Sequence, residues 1–267
     1  NPKFILNLSL VAENFYLNKE YDKATKVLKN FDKKYEFYYW FRSKKEAQII
    51  IKKNGYDEGI DFISSKFSKI DNPNIKIIFD IANFYKNSKN YEKAIMYYSK
   101  IISLLSNNPE VKSDLLYRRG GSYERLGNYE KADEDLLNSL KINPDNAYAL
   151  NYLAYSWLER DYKIDEAMRM LKKAYDLRSN DPYITDSIGW AYYLIENYIE
   201  AEKYLKKAVE LMPEDATVND HYGDILWKLN RNMQARYFWN YVLSLDNADE
   251  EIKQKINIKI LEGLKNS

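Results

Sequence analysis

Small residues return along this chain at a nearly fixed interval. Ala24, Gly59, Ala94, Ala132, Ala167, Ala201 and Ala235 are separated by 35, 35, 38, 35, 34 and 34 positions. Twelve or thirteen residues ahead of each stands a second small residue: Ala12, Ala47, Ala82, Gly120, Ala154, Gly189 and Gly223. An aromatic precedes many of the first set by three positions, at Tyr21, Tyr56, Tyr91, Tyr129 and Tyr198. A period of this length is the signature of a stacked repeat. Between the small residues, apolar positions recur every three or four, which gives each segment one buried helical stripe. Each unit therefore reads as two helices of about a dozen residues, too short to stand alone in water. The paired small residues let the two backbones approach; a larger side chain there would cost ~1–3 kcal/mol in overpacking. Pro109, Pro144, Pro182 and Pro213 are expected to close the units, because proline cannot continue a helix. No unit can bury its apolar face by itself, so neighbours must stack.

Composition agrees with a helical chain. Eight glycines and six prolines among 267 residues are too few for a turn-rich β fold. A 45% hydrophobic content supports a core rather than disorder. Lys+Arg (41) and Asp+Glu (40) nearly cancel, with a slightly basic start and a slightly acidic end, so no nucleic-acid partner is expected. The absence of cysteine excludes disulfides, thiolate metal sites and cysteine nucleophiles. The opening "NPKFILNLSL" has neither a signal-peptide pattern nor a membrane span, and suggests a trimmed or mature fragment.

The stretches "LGNYEKADEDLLNSLKINP" and "IGWAYYLIENYIEAEKYLKKAVELMP" closely resemble the 34-residue pattern of the tetratricopeptide repeat. The fold this implies is all-α: a right-handed α-solenoid of about seven helix-turn-helix units. Their expected limits are about 5–39, 40–74, 75–112, 113–146, 147–181, 182–215 and 216–247. The third unit is longer, with "SLLSNNPEV" extending its second half, and the fifth carries an extra residue in the turn "ERDYKIDEA". Residues 248–267 read as a C-terminal capping helix. Ile252, Ile256, Leu261 and Leu264 are expected to lie against the last unit, with Lys and Glu facing water.

Little in the chain suggests chemistry. His221 is the single histidine, and Asp220 and Asp224 flank it at helical spacing. A lone histidine on a repeat helix is expected to serve packing or surface, and zinc would need further His or Cys ligands. "RRGGSYERLG" lacks the lysine and strand context of a phosphate loop, and "KADEDLL" lacks calcium-loop spacing. The expectation is no enzyme, no cofactor and no metal.

What remains is a surface. The resemblance implies that positions two, five, nine and twelve of each unit line a concave groove. In the C-terminal half these are Tyr148, Asn151, Tyr155 and Leu158; Tyr183, Asp186, Trp190 and Tyr193; and Thr217, Asp220, Asp224 and Trp227. Tyr117 and Glu124 join them from the fourth unit. Earlier units contribute the more polar and basic set Lys44, Gln48, Phe79, Asn83 and Lys86; Asp114 stands where a carboxylate clamp would need a basic residue. Tyr and Trp are enriched where proteins grip one another, so the aromatic stripe with its Asn/Asp row is expected to hold a peptide or protein segment. The same rings could instead wedge between neighbouring units.

"LNYLAYSW", "DSIGWAYY" and "NDHYGDILWKLNRNMQARYFW" further resemble the C-terminal repeats of proteobacterial tetratricopeptide proteins, several of them outer-membrane lipoproteins. Some of these act as adaptors for C-terminal processing proteases. The resemblance implies a periplasmic or outer-membrane-associated adaptor; a cytoplasmic location is the alternative. A self-associating module, forming homo-oligomers through its tyrosine-rich faces, is the alternative function.

Overall fold

A computed structural model describes residues 2–31, 36–105, 108–245 and 248–264. Among them lie fifteen α-helices and no strand. First helices of successive pairs are α1 (Pro2–Leu17), α3 (Glu36–Asn54), α5 (Ile75–Asn87), α7 (Pro109–Arg125), α9 (Ala147–Glu159), α11 (Pro182–Leu194) and α13 (Ala216–Lys228). Their second helices are α2 (Tyr21–Leu28), α4 (Tyr56–Phe67), α6 (Tyr91–Leu104), α8 (Tyr129–Ile142), α10 (Ile164–Leu177), α12 (Tyr198–Leu211) and α14 (Asn232–Ser244). Helix α15 (Glu250–Glu262) follows. The chain forms two compact units, Asn1–Ala132 and Asp133–Ser267, with the division inside α8.

The turns inside the pairs show why a short helix is followed by another. In six of them one residue adopts left-handed φ at the same place: Lys19, Lys89, Gly127, Asp161, Glu196 and Asn230. The next N–H then donates to the carbonyl five residues back, as in Asn90 to Tyr85, Asn197 to Tyr192 and Arg231 to Leu226. This C-terminal motif satisfies carbonyls that the helix leaves open and reverses the chain within three residues. The extra residue expected in the fifth pair is present, and that turn carries a second left-handed residue, Lys163.

Between pairs, a side-chain cap starts α5, α7, α9, α11, α13 and α15. Asn74, Asn108, Asn146, Asp181, Asp215 and Asp249 each accept the backbone N–H three residues on. Such caps are worth ~1 kcal/mol each. They correct the expected role of two prolines. Pro109 and Pro182 occupy the first turn of α7 and α11, where a missing N–H is harmless. They open helices rather than close them. Of these four prolines, Pro144 and Pro213 lie in the connections after a second helix, as Pro73 does between α4 and α5. The extra residues near "SLLSNNPEV" likewise lengthen the start of α7, since α6 has already ended at Leu104.

Packing follows the small residues. Ala47, Ala82, Ala94, Ala132, Ala154, Ala167, Ala201 and Ala235 are all fully buried. In residues 1–132 the core gathers Trp40, Ile63, Ile78, Ile81, Tyr98 and Leu115. In residues 133–267 one core cluster gathers Leu205, Tyr222, Ile225, Leu226, Trp239 and Ile256. Gly223 shows why the position is small: a Cβ there would stand 2.4 Å from Trp239 Nε1.

Helix α15 departs from expectation in register. Ile256 is fully buried, and Ile252, Ile260 and Leu264 are half-buried against the core. These residues run at steps of four, so the helix turns Leu261 outward, where it is 81% exposed. Lys259 lies on the packed side instead of facing water.

Candidate functional site: the first-helix face

Within residues 133–267, polar rungs about one period apart join successive first helices. Trp190 of α11 donates from Nε1 to Glu159 of α9 at 2.8 Å. His221 of α13 places Nδ1 2.9 and 3.1 Å from the two carboxylate oxygens of Asp186 on α11. Lys259 of α15 donates to Asp220 at 2.6 Å and to both oxygens of Asp224 at 2.8 Å on α13. Trp239 adds a further N–H to Asp224 at 3.1 Å.

Aromatic stacking reinforces the middle rung. The Trp190 ring lies 4.0 Å from His221 and 4.5 Å from Tyr193, nearly parallel to both. Burial alone would drive His221 toward its neutral form. Asp186, through charge and hydrogen bond, outweighs it with help from Asp220 and Asp224, so the imidazole pKa lies above its ordinary 6.5. Burial and the neighbouring Asp220 raise the Asp224 carboxyl from 3.8 to about 6, against the pull of Lys259. Burial works against the Lys259 charge, but Asp224 and Asp220 more than offset it and raise its pKa. Burial, then Asp224, Tyr198 and Asp220, also raise the Tyr193 phenol. The cations and carboxylates stabilise one another while Asp220 and Asp224 repel, and each group would be costly to leave alone in the interior.

The residues expected to line a groove therefore fall into three sets. Asp186, Trp190, Tyr193, Asp220 and Asp224 are engaged in the rungs. Asp186 and Asp224 are only 7% and 5% exposed. Trp227 lies beneath the end of α15: a Cβ on Gly263 would come 2.0 Å from its ring. It also packs on Trp239 at 5.5 Å and under the Arg236 guanidinium at 4.8 Å. The third set forms an outer rim. Tyr148 and Tyr183 are exposed, and Tyr148 donates to the Asp181 cap at 3.1 Å with Arg178 over its ring. On the same face of α9, Asn151 and Tyr155 are half-buried, and Asn151 Oδ1 is buried without a hydrogen-bond partner. Leu158 is buried. The sequence did not single out Glu159, Trp239 or Lys259, each of which completes a rung.

Residues 1–132 carry the same face with different chemistry. Lys44 and Trp40 of α3 both reach Asp80 of α5, at 2.8 and 2.9 Å. Tyr98 donates to Asn83 at 2.7 Å, and Arg118 pairs with Asp114 at 2.7 Å on α7. Half-buried Tyr117 lies beside that guanidinium. Burial, then the nearby Arg118, lower the Lys86 pKa. A cavity of about 300 Å³ opens between α1, α3 and α5, lined by Tyr16, Lys44, Gln48, Tyr56, Asn83 and Phe84 among others. Gln48 Oε1 is buried there without a partner.

No three His, Cys, Asp or Glu groups among the described residues are arranged to hold a metal ion. No helix among them is long and apolar enough to cross a membrane.

Family models described as tetratricopeptide repeat match residues 75–108, 113–146 and 187–215. A TPR repeat-containing protein of Pseudomonas aeruginosa is 29% identical over 159 residues, covering 60% of this chain and 26% of that protein. A lipoprotein NlpI homolog of Haemophilus influenzae is 29% identical over 113 residues, covering 42% of this chain and 35% of that protein. The chain thus spans about a quarter to a third of these relatives. The crystal structure of a Parabacteroides merdae tetratricopeptide repeat protein superposes with a TM-score of 0.71 and 20% identity, covering 95% of this chain and 98% of that one. That likeness shows the fold.

Proposed function

We propose that this chain, built of tetratricopeptide repeats, is a non-catalytic scaffold that holds a peptide or protein segment against the first-helix face of residues 133–267. Repeats of this kind generally mediate protein–protein interaction. The observation that carries the reading is the rim formed by Tyr148, Asn151 and Tyr183. Two exposed phenols offer broad contact with few rotamers to freeze. Half-buried Asn151 stands on the same face of α9, and the accessible part of its side-chain amide can bond a peptide main chain. The rungs beneath hold this rim rigid, and preorganisation lowers the cost of binding.

The finer assignment is a bacterial-envelope adaptor that brings a client to a C-terminal processing protease. Its support is the resemblance of residues 149–245 to envelope lipoproteins, with the Haemophilus influenzae lipoprotein homolog among the relatives. We also propose the seven-unit division with a capping helix.

Photocrosslinking tests the surface. A benzophenone amino acid replaces Tyr148, Tyr183 or, as a control on a second helix, the 73% exposed Ile199. In an envelope fraction, positions 148 and 183 are expected to give the same discrete adduct and position 199 none. Adducts from 199 alone, or from no position, contradict the proposed face. An adduct of twice the chain mass identifies self-association instead.

A further inference from the structure

We propose that the Asp220–Asp224–Trp227 end of this face is a docking seat for a lysine-bearing apolar helix of another molecule, and that α15 fills the seat in cis until displaced. The inference rests on the scaffold reading above and adds the chemistry of a partner.

The seat is specific. Two carboxylates, half-buried and buried, converge on one ammonium, with both pairs within 2.8 Å. Beside them lies the Trp227 ring, approached so closely by Gly263 that no side chain fits between. Helix α15 matches this surface with isoleucines at 252, 256 and 260, one lysine at 259 and a glycine at 263. That spacing is the specification a partner helix must meet: apolar residues at steps of four, a lysine just ahead of the third, and glycine at the end.

The occupant is held on one side only. Helix α13 buries nine residues, whereas α15 buries Ile256 alone. Ile258 and Leu261 are 53% and 81% exposed, and no second helix among the described residues folds back over α15. Elements with so few buried contacts open most readily. Charge complementarity selects the replacement: an acidic or uncharged helix would strand two carboxylates, one of them deeply buried.

The test uses the full chain and a fluorescein-labelled peptide of residues 248–264. Lys259→Glu sets like charges against Asp220 and Asp224 and should free the seat. Gly263→Leu should free it without altering charge at the carboxylates. Both variants are expected to bind the peptide at least tenfold more tightly than the wild-type chain, whose seat is occupied. A peptide with Lys259 replaced by Glu should abolish the gain. Equal binding to wild type and variants, or no binding to any, overturns the proposal. So does binding that requires two copies of the chain, which would make the occupant a second α15. If neither variant folds, hydrogen exchange on the wild type decides. Amides of 252–260 should exchange at least tenfold faster than those of 218–226; equal protection overturns it. A failed photocrosslink at Tyr148 and Tyr183 with successful peptide binding here would separate this seat from the scaffold reading.

Discussion

Residues 1–132 and 133–267 repeat the same helix pair but tie successive first helices together differently. In the first unit the α3–α5 rung is Lys44 and Trp40 on Asp80, and both members of the ion pair keep contact with water. In the second unit two of the three rungs are sunk: Asp186 and His221 are buried, His221 as one ring of a three-ring stack, and Asp224 is buried between Lys259 and Trp239. The difference is one of stakes. A solvated pair can lose a member and let water replace it; a buried pair leaves its survivor stranded. Each unit also keeps buried acceptors without a partner, Gln48 in the first and Asn151 and Asn219 in the second. The second uses most of its polar groups to fix a rigid rim.

The largest expected effect breaks the sunken rung. Asp224→Ala removes an acceptor from Trp239 and one of two carboxylates from Lys259, and should cost about 3 kcal/mol in urea unfolding. A loss below about 1 kcal/mol would put this rung on a par with a surface pair. Next, Gly223→Ala forces Trp239 to move and should cost about 2 kcal/mol. The matching site in the first unit, Ala82, already holds a methyl group in a fully buried place.

Acidity sharpens the contrast further. Asp224 and His221 both have folded-state pKa values above their ordinary ones. The folded chain therefore holds these protons more tightly than the unfolded chain. Their contribution is complete below the unfolded values, 3.8 and 6.5, and fades as pH rises through the folded values, about 6 for Asp224. The second unit should gain on the order of 1–3 kcal/mol between pH 8 and pH 5, measured as a rising urea midpoint. His221→Gln should remove the part seen above pH 6.5. In the first unit, burial and Arg118 lower Lys86 instead, so its contribution grows as pH rises toward the alkaline range. The smallest effect is Asp80→Ala, about 1 kcal/mol, chiefly the lost acceptor of the buried Trp40.

Much of this could be read before any coordinates. The paired small residues named the buried seams, because only Ala or Gly fits where two helix backbones meet. The row of acids and aromatics was found, with wedging between neighbouring units as one of its two readings, but the side chains it bonds to were not. Groove positions were read down one helix, whereas their partners stand about one period away: Glu159 with Trp190, Asp186 with His221, Asp224 with Lys259. In a stack of parallel first helices, that interval is the neighbour relation, so complementary residues one period apart were the available signal. The helix starts were also legible in the Asn and Asp recurring from 74 to 249. Pro109 and Pro182 misled because proline suits a first turn as well as a stop. Leu261 misled because hydrophobicity alone does not fix register; the i, i+4, i+8 run of Ile252, Ile256 and Ile260 does.

The central claim is that facing side chains of successive first helices in residues 133–267 act as a bonded ladder. A double-mutant cycle on Asp186 and His221 tests it most directly, with Asp186→Ala, His221→Ala and the pair unfolded in urea at pH 6.5. The ladder predicts a coupling energy of about 1.5–3 kcal/mol. Additive losses, with coupling under about 0.5 kcal/mol, would mean that the two side chains merely lie side by side.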